Sequence, residues 1–146
     1  MNIYSATYSE YSISIFNLGN PAGKQFWIFI ISLFILPFIL FVNTREVGAY
    51  NYMNWSQISE LNKFSQVEIG NHSHSHEYLV DENSEIIKND ILRSIRIFEE
   101  KLGKNSIFFS YPFGEYSSEF KKIIKDLGFN FAFGQHSGVI DDTKDL

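Results

Sequence analysis

The sequence predicts an α/β domain built on a parallel sheet. Three observations predict it: short apolar runs bounded by turn residues, amphipathic helical stretches between them, and a regular alternation of the two from residue 38 onward. Strands that alternate with helices are joined as parallel neighbours through right-handed crossovers. At 146 residues, 45% hydrophobic and 17% aromatic, the chain can bury one core and is too apolar for disorder. The formal net charge of −5, with no basic run, argues against a nucleic-acid partner held through phosphates. Cysteine is absent, which removes disulfides and thiolate metal sites from consideration.

Residues 1–34 form a poorly defined N-terminal segment. Tyr, Ser and Asn dominate Tyr4 to Ser12, the alternation Ile13-Ser14-Ile15 hints at a strand, and Asn20-Pro21-Ala22-Gly23 signals a turn. No basic stretch precedes a small-residue cleavage site, so a secretory signal peptide is not expected. From Phe26 to Val42 the chain is uncharged and, except for Ser32 and Pro37, apolar. One reading is a transmembrane helix over 26–42, flanked by Lys24 and Arg45, which would put the protein at a membrane or in the cell envelope. The favoured reading is a core segment in a soluble protein. Pro37 disfavours helix at Leu36 and suits the start of a strand, leaving Phe38 to Val42 as a strand buried on both faces.

Beyond a polar loop at 43–48, Asn54 and Gln57 have the spacing of a capping box. Ile58, Leu61 and Phe64 then predict a helix over 55–65. Val67-Glu68-Ile69 reads as a strand, which Gly70-Asn71 is expected to break. The clearest helix is 84–102, with Ile87, Ile91, Ile95, Phe98 and Leu102 on one face and Gly103 as its C-terminal cap. Those side chains are read as packing alone. Ile107-Phe108-Phe109 is a buried strand leading into Tyr111-Pro112-Phe113-Gly114. Ser117 caps a helix that turns Phe120, Ile123, Ile124 and Leu127 inward and closes at Gly128. Phe129 to Phe133 is the last strand, and 134–138 a loop. In parallel sheets, ligand sites collect beyond the carboxyl ends of the strands. Three loops stand there: the stretch after Ile69, Tyr111 to Gly114, and Gly134 to Gly138.

The first of these loops holds three of the four histidines, His72, His74 and His76, within five positions. Imidazole is the commonest protein metal ligand. A helical turn would put His72 and His76 on one face, and an extended chain would put all three on one side. Two imidazoles are too few for a tight catalytic zinc site, which takes three protein ligands and a water. Candidates for the third are His74, Glu68, Glu77 and the remote His136. An ion with an open position acidifies bound water and polarises a carbonyl, so metal-assisted hydrolysis of an amide or ester follows, with a carboxylate still needed as base.

Glu68-Ile69-Gly70-Asn71-His72-Ser73-His74-Ser75-His76, followed 35 residues later by Tyr111-Pro112-Phe113-Gly114, resembles the NodB-type polysaccharide deacetylases (carbohydrate esterase family 4). His72, Ser73 and His76 match that family's histidine motif, and the tyrosine–proline–aromatic–glycine loop matches its third motif. The resemblance covers residues 35–142, within a partial NodB homology domain at 35–146. It implies part of a distorted (β/α) barrel and a hydrolase for carbon–nitrogen bonds other than peptide bonds. The substrate it implies is the N-acetyl group of a polysaccharide or amino sugar, in carbohydrate metabolism. It further implies a divalent metal, zinc foremost, on His72 and His76, and an oxyanion donor in the backbone N–H of Phe113. Tyr111, Pro112 and Phe113 would line the sugar groove. His74 fills a variable position, and His136 is read as a surface polar residue.

The chain departs from the family pattern in three places. The expected pair of aspartates, one the base and one the third metal ligand, has no counterpart, because no aspartate precedes Asp81. Ser5 and Ala6 stand where those acids are wanted, and Ser110 replaces an arginine of the third motif. The later family motifs would lie beyond Leu146. The expectation is therefore a truncated or degenerate deacetylase, impaired as it stands. The alternative is a non-catalytic, membrane-anchored or metal-binding remnant of such a domain.

Overall fold

A computed structural model describes residues 37–134 in full, together with the backbone of two short strands at Asn2–Ser5 and Ile15–Phe16. Those two are β1 and β2. Pro37 is followed by β3 (Phe38–Val42), in which every residue is buried, as a continuous apolar run predicts. The remaining strands are β4 (Val67–Asn71), β5 (Phe108–Ser110) and β6 (Phe131–Gly134). They form a sheet in the order β1-β6-β5-β4-β3-β2, and every pairing is parallel. All of its carboxyl ends therefore open on one edge.

Three helices connect the later strands: α1 (Trp55–Leu61), α2 (Ser84–Leu102) and α3 (Ser118–Asp126). The capping box of Asn54 and Gln57 forms reciprocally, at 3.0 and 2.9 Å. Gly103 closes α2 at a φ of +76°, and Ser117 caps α3 by accepting from the Phe120 N–H. The helix expected over 55–65 ends at Leu61, and Asn62 to Gln66 turn back toward the sheet.

Period-two alternation along β3 sorts its side chains between two cores. Phe38, Leu40 and Val42 pack with Ile58, Leu61, Val67, Ile69 and Phe98 under α1 and α2. Ile39 and Phe41 meet Phe133 on the opposite face. A third cluster joins Ile87 and Ile91 of α2 to Phe109, Tyr111, Phe120 and Ile124. Because Phe38 to Val42 is a strand paired between β2 and β4, residues 26–42 are not one membrane-spanning helix. Among the described residues no helix is long and apolar enough to cross a membrane. Residues 26–36, like the loop holding His136, lie outside the described residues.

One strand runs further than its sequence suggests. Gly70 and Asn71 do not break β4 but continue it, paired with Phe41 and Val42. The reason is steric. A Cβ on Gly70 would lie 2.4 Å from the Phe41 ring, so glycine is what lets that ring cross the strand.

Candidate functional site

Alternation along β4 sends Asn71 and His72 to opposite faces of the sheet. Asn71 is fully buried toward α2, where its Oδ1 accepts from Ser94 Oγ at 2.8 Å and from the Ser73 N–H at 3.0 Å. His72 lies on the face of Phe41, the two ring centroids 6.5 Å apart. Its Nδ1 is 2.7 Å from the Ser110 carbonyl oxygen. A carbonyl only accepts, so Nδ1 carries the proton and the lone pair sits on Nε2. Burial pushes the His72 pKa down to about 4; the Ser110 carbonyl opposes that and His76 adds to it. The ring is therefore neutral at neutral pH, the form that binds a metal.

Between His72 and His76 the chain is neither helical nor extended. Ser73 and His76 both adopt positive φ, +67° and +56°. That conformation costs a residue with a Cβ roughly 1–2 kcal/mol. Hydrogen bonds to side chains hold the kink. Ser73 Oγ accepts from the His76 N–H at 3.0 Å. The Asp90 carboxylate, on α2, accepts from the N–H groups of His74 at 2.8 Å and Ser75 at 3.1 Å. His76 is thereby set edge-on to His72, with ring centroids 4.7 Å apart and an interplanar angle of 67°. Two nitrogens each about 2.0 Å from one ion are compatible with that separation.

The donor set stops at two among the described residues. His74 turns away, its Nδ1 2.8 Å from Thr44 Oγ1, and burial followed by the Arg93 charge lowers its pKa. Glu77 pairs with Arg45 at 2.9 Å. Glu68 is exposed near the start of β4, four residues (~13 Å of strand) before His72. No group of three His, Cys, Asp or Glu among the described residues could hold an ion. The residues present thus fit a divalent ion with half of the four positions it normally fills.

The second loop leaves β5 beside this pair. Pro112–Gly114 forms a single 3-10 turn, closed by Gly114 N–H donating to the Tyr111 carbonyl at 2.9 Å. Phe113 has φ +58°, an outlier for a bulky residue. Its side chain is 52% exposed, with the ring centroid 5.1 Å from His76 and 5.9 Å from Tyr78. The Phe113 N–H has no acceptor among the described residues. Tyr111 and Pro112, expected along a groove wall, are instead buried beneath it. Tyr111 is 1% exposed and packs on Phe109, Tyr116 and Phe120, so its body serves the core and burial raises its pKa. At the rim, the Tyr78 hydroxyl donates to Glu115, and that bond above all pushes its pKa up to about 12.

Reading the sequence alone overlooks three contributors. Asp90 and Ser94 stand four apart on α2, the spacing that puts two side chains on one helix face, and they hold the histidine loop rather than only the core. Ser110 acts through its backbone carbonyl, which leaves no trace in residue type.

The family profile of polysaccharide deacetylases matches residues 33–132. The chain belongs to the polysaccharide deacetylase family. Solved structures of similar fold include IcaB from Ammonifex degensii, with a TM-score of 0.77 at 20% identity over 84% of this chain and 59% of that one. A de-N-acetylase from Aggregatibacter actinomycetemcomitans gives 0.80 at 15% identity over 99% and 75%. A pseudoenzyme of carbohydrate esterase family 4 from Bacillus anthracis gives 0.69 at 18% identity over 90% and 42%. The chain thus spans about three-fifths of the IcaB chain and less of the pseudoenzyme. No curated protein sequence matches it. The parallel strands and helices are part of the (β/α) barrel of these deacetylases.

The topology also bears on the missing acids. The strand beside β3 is β2, whereas β1, ending at Ser5, is paired with β6 at the other end of the sheet order. In sequence, the two residues after each strand are Ala6-Thr7, Asn17-Leu18, Asn43-Thr44, His72-Ser73, Tyr111-Pro112 and Gln135-His136. None is a carboxylate.

Proposed function

We propose that the chain acts on N-acetylated polysaccharide at a site where His72 and His76 hold a divalent cation, zinc foremost, and that its amide hydrolysis is impaired. The observation that carries this reading is the pair of converging imidazoles, His72 in its metal-binding tautomer, beside an exposed aromatic loop. A bound divalent ion would supply Lewis-acid polarisation of the acetyl carbonyl and an acidified water. The chain's own residues would do the rest. His72 and His76 orient the ion, the Phe113 N–H donates to the developing oxyanion, and the Phe113 ring lies along the sugar. No carboxylate directly follows any of the described strands to take the proton from water. A positioned base contributes roughly 10²–10⁴ in rate, so hydrolysis should fall short of a complete site by about that factor.

Calorimetric zinc titration of the metal-free protein tests the ion. Wild type should bind one zinc, and His72→Ala or His76→Ala should each weaken it on the order of a hundredfold, the share of one ligand in four. Acetate release from an N-acetylglucosamine oligomer then measures the chemistry. Zinc binding that is absent, or indifferent to both substitutions, would sink the reading.

A further inference from the structure

Outside the histidine pair, the largest unexplained feature of this edge is an exposed aromatic step. Phe113 is 52% and Tyr78 44% exposed, although each is large enough to repay burial. They come from different loops and touch, and Phe113 continues directly onto His76. Tyr78 donates its hydroxyl to Oε2 of Glu115, which fixes a carboxylate at the rim of the step. Oε1 of Glu115 has no partner among the described residues. Just beyond the two loops, Ser84 in the first turn of α2 donates to Glu119 in the first turn of α3.

The charge around the step is one-sided. Residues 77–85 carry Glu77, Asp81, Glu82 and Glu85, residues 111–119 carry Glu115 and Glu119, and neither stretch contains a lysine or arginine. All six acids are exposed, and among the described residues only Glu77 is engaged by a cation, Arg45. A ligand here must offer an apolar face to the rings and, beside it, a positive charge. A sugar ring does the first through its C–H face. Its amine, when free, does the second, since aromatic faces and a fixed carboxylate both attract an ammonium.

We propose that Tyr78, Phe113 and Glu115 form a second sugar subsite next to the histidine pair, which prefers a glucosamine unit with a free ammonium. The polysaccharide taken would then be one already partly deacetylated. This inference rests on the reading of the histidine pair as the place where an N-acetylated unit binds. Glu115 and Tyr78 are specificity-determining residues in it and take no part in the reaction.

The test compares two probes on the metal-free protein at mildly acid pH, by calorimetry: a fully N-acetylated glucosamine pentamer and a pentamer with its neighbouring amines free. The partly free pentamer should bind about fivefold more tightly, the upper range for one exposed charge pair, and added salt should shrink the difference. Glu115→Gln should bring the two affinities together, removing the preference. Tyr78→Phe, which keeps the ring but frees the carboxylate, should reduce it. Both sites are exposed, and thermal melts will verify that the variants fold. Equal affinity for the two pentamers, or a preference that survives Glu115→Gln, overturns this inference alone. Failure of both pentamers to bind overturns it together with the function proposed above.

Discussion

Two stretches of one sheet edge contrast sharply. The ends of β4 and β5 carry a preset arrangement: a histidine tautomer fixed by the Ser110 carbonyl, a strained turn held by Ser73 and Asp90, and an exposed Phe113 against His76. The ends of β1, β2 and β3 are followed by Ala6, Asn17 and Asn43, with no acid among them or the residues after them. The difference teaches that the histidine pair is held in place without an acid at the ends of these neighbouring strands. β3 helps to position the imidazoles, since the Val42 carbonyl accepts from the His72 N–H at 3.0 Å and the Phe41 ring lies beside His72, but it does so without an acid. His72 is anchored by β5 and its loop by α2, so the donor half is complete without a base.

The strongest way to break that contrast is to restore acids to the empty side. Sheet order places β2 two strands from β4, about 10 Å along the sheet, and β1 three strands away in the other direction, about 14 Å. Asn17→Asp with Leu18→Asp should therefore raise zinc affinity on the order of a hundredfold, the worth of one added ligand. Ser5→Asp with Ala6→Asp should raise it less. Zinc titration of the two double variants decides between the strands, and acetate release shows whether a base has been restored. If neither pair changes zinc affinity, the two halves are not parts of one site.

A second prediction concerns the donor half alone. The His72 pKa is held near 4 in the folded protein against 6.5 for an ordinary histidine. Between those values the unfolded chain binds a proton that the folded one does not, so stability is full above pH 6.5 and falls as pH drops toward 4. The displacement corresponds to about 3 kcal/mol. Denaturant melts of metal-free protein across that range should show the loss, and His72→Asn, which cannot titrate but can still donate to Ser110, should flatten it. A slope unchanged in the variant would place the effect elsewhere.

The fold was far more legible than the site, for a physical reason. Helix α2 announces itself because burial on one face forces apolar residues into a 3.6-residue period, and Asn54, Gly103 and Ser117 sit where unpaired helix-end groups demand them. Strand β4 is longer than its sequence predicts because Gly70 ordinarily breaks strands, and here the Phe41 ring crossing it explains the exception. At the candidate site, residue types single out His72 and His76 as candidates, and the structure brings their ring centroids to 4.7 Å. The spacing offered helix or extended chain, and the protein uses neither, because positive φ at Ser73 and His76 depends on partners from distant elements. A carbonyl such as that of Ser110 has no sequence signature at all.

Ser73 offers the finest test of how the donor half is held. Its backbone is strained at a φ of +67°, yet its hydroxyl oxygen satisfies the His76 N–H. Ser73→Ala keeps the strain and removes the acceptor, and should cost about 1 kcal/mol in denaturant melts. Ser73→Gly removes the same acceptor but relieves the strain, so its melt should lie closer to wild type. Zinc affinity separates stability from geometry, because both variants lose the bond that aims His76 and both should bind more weakly. If Ser73→Gly restored zinc affinity along with stability, backbone strain rather than the hydroxyl would be what governs His76. The kink would then be a cost of the loop's path between β4 and α2, and Asp90, not Ser73, would be the group that aligns the second imidazole.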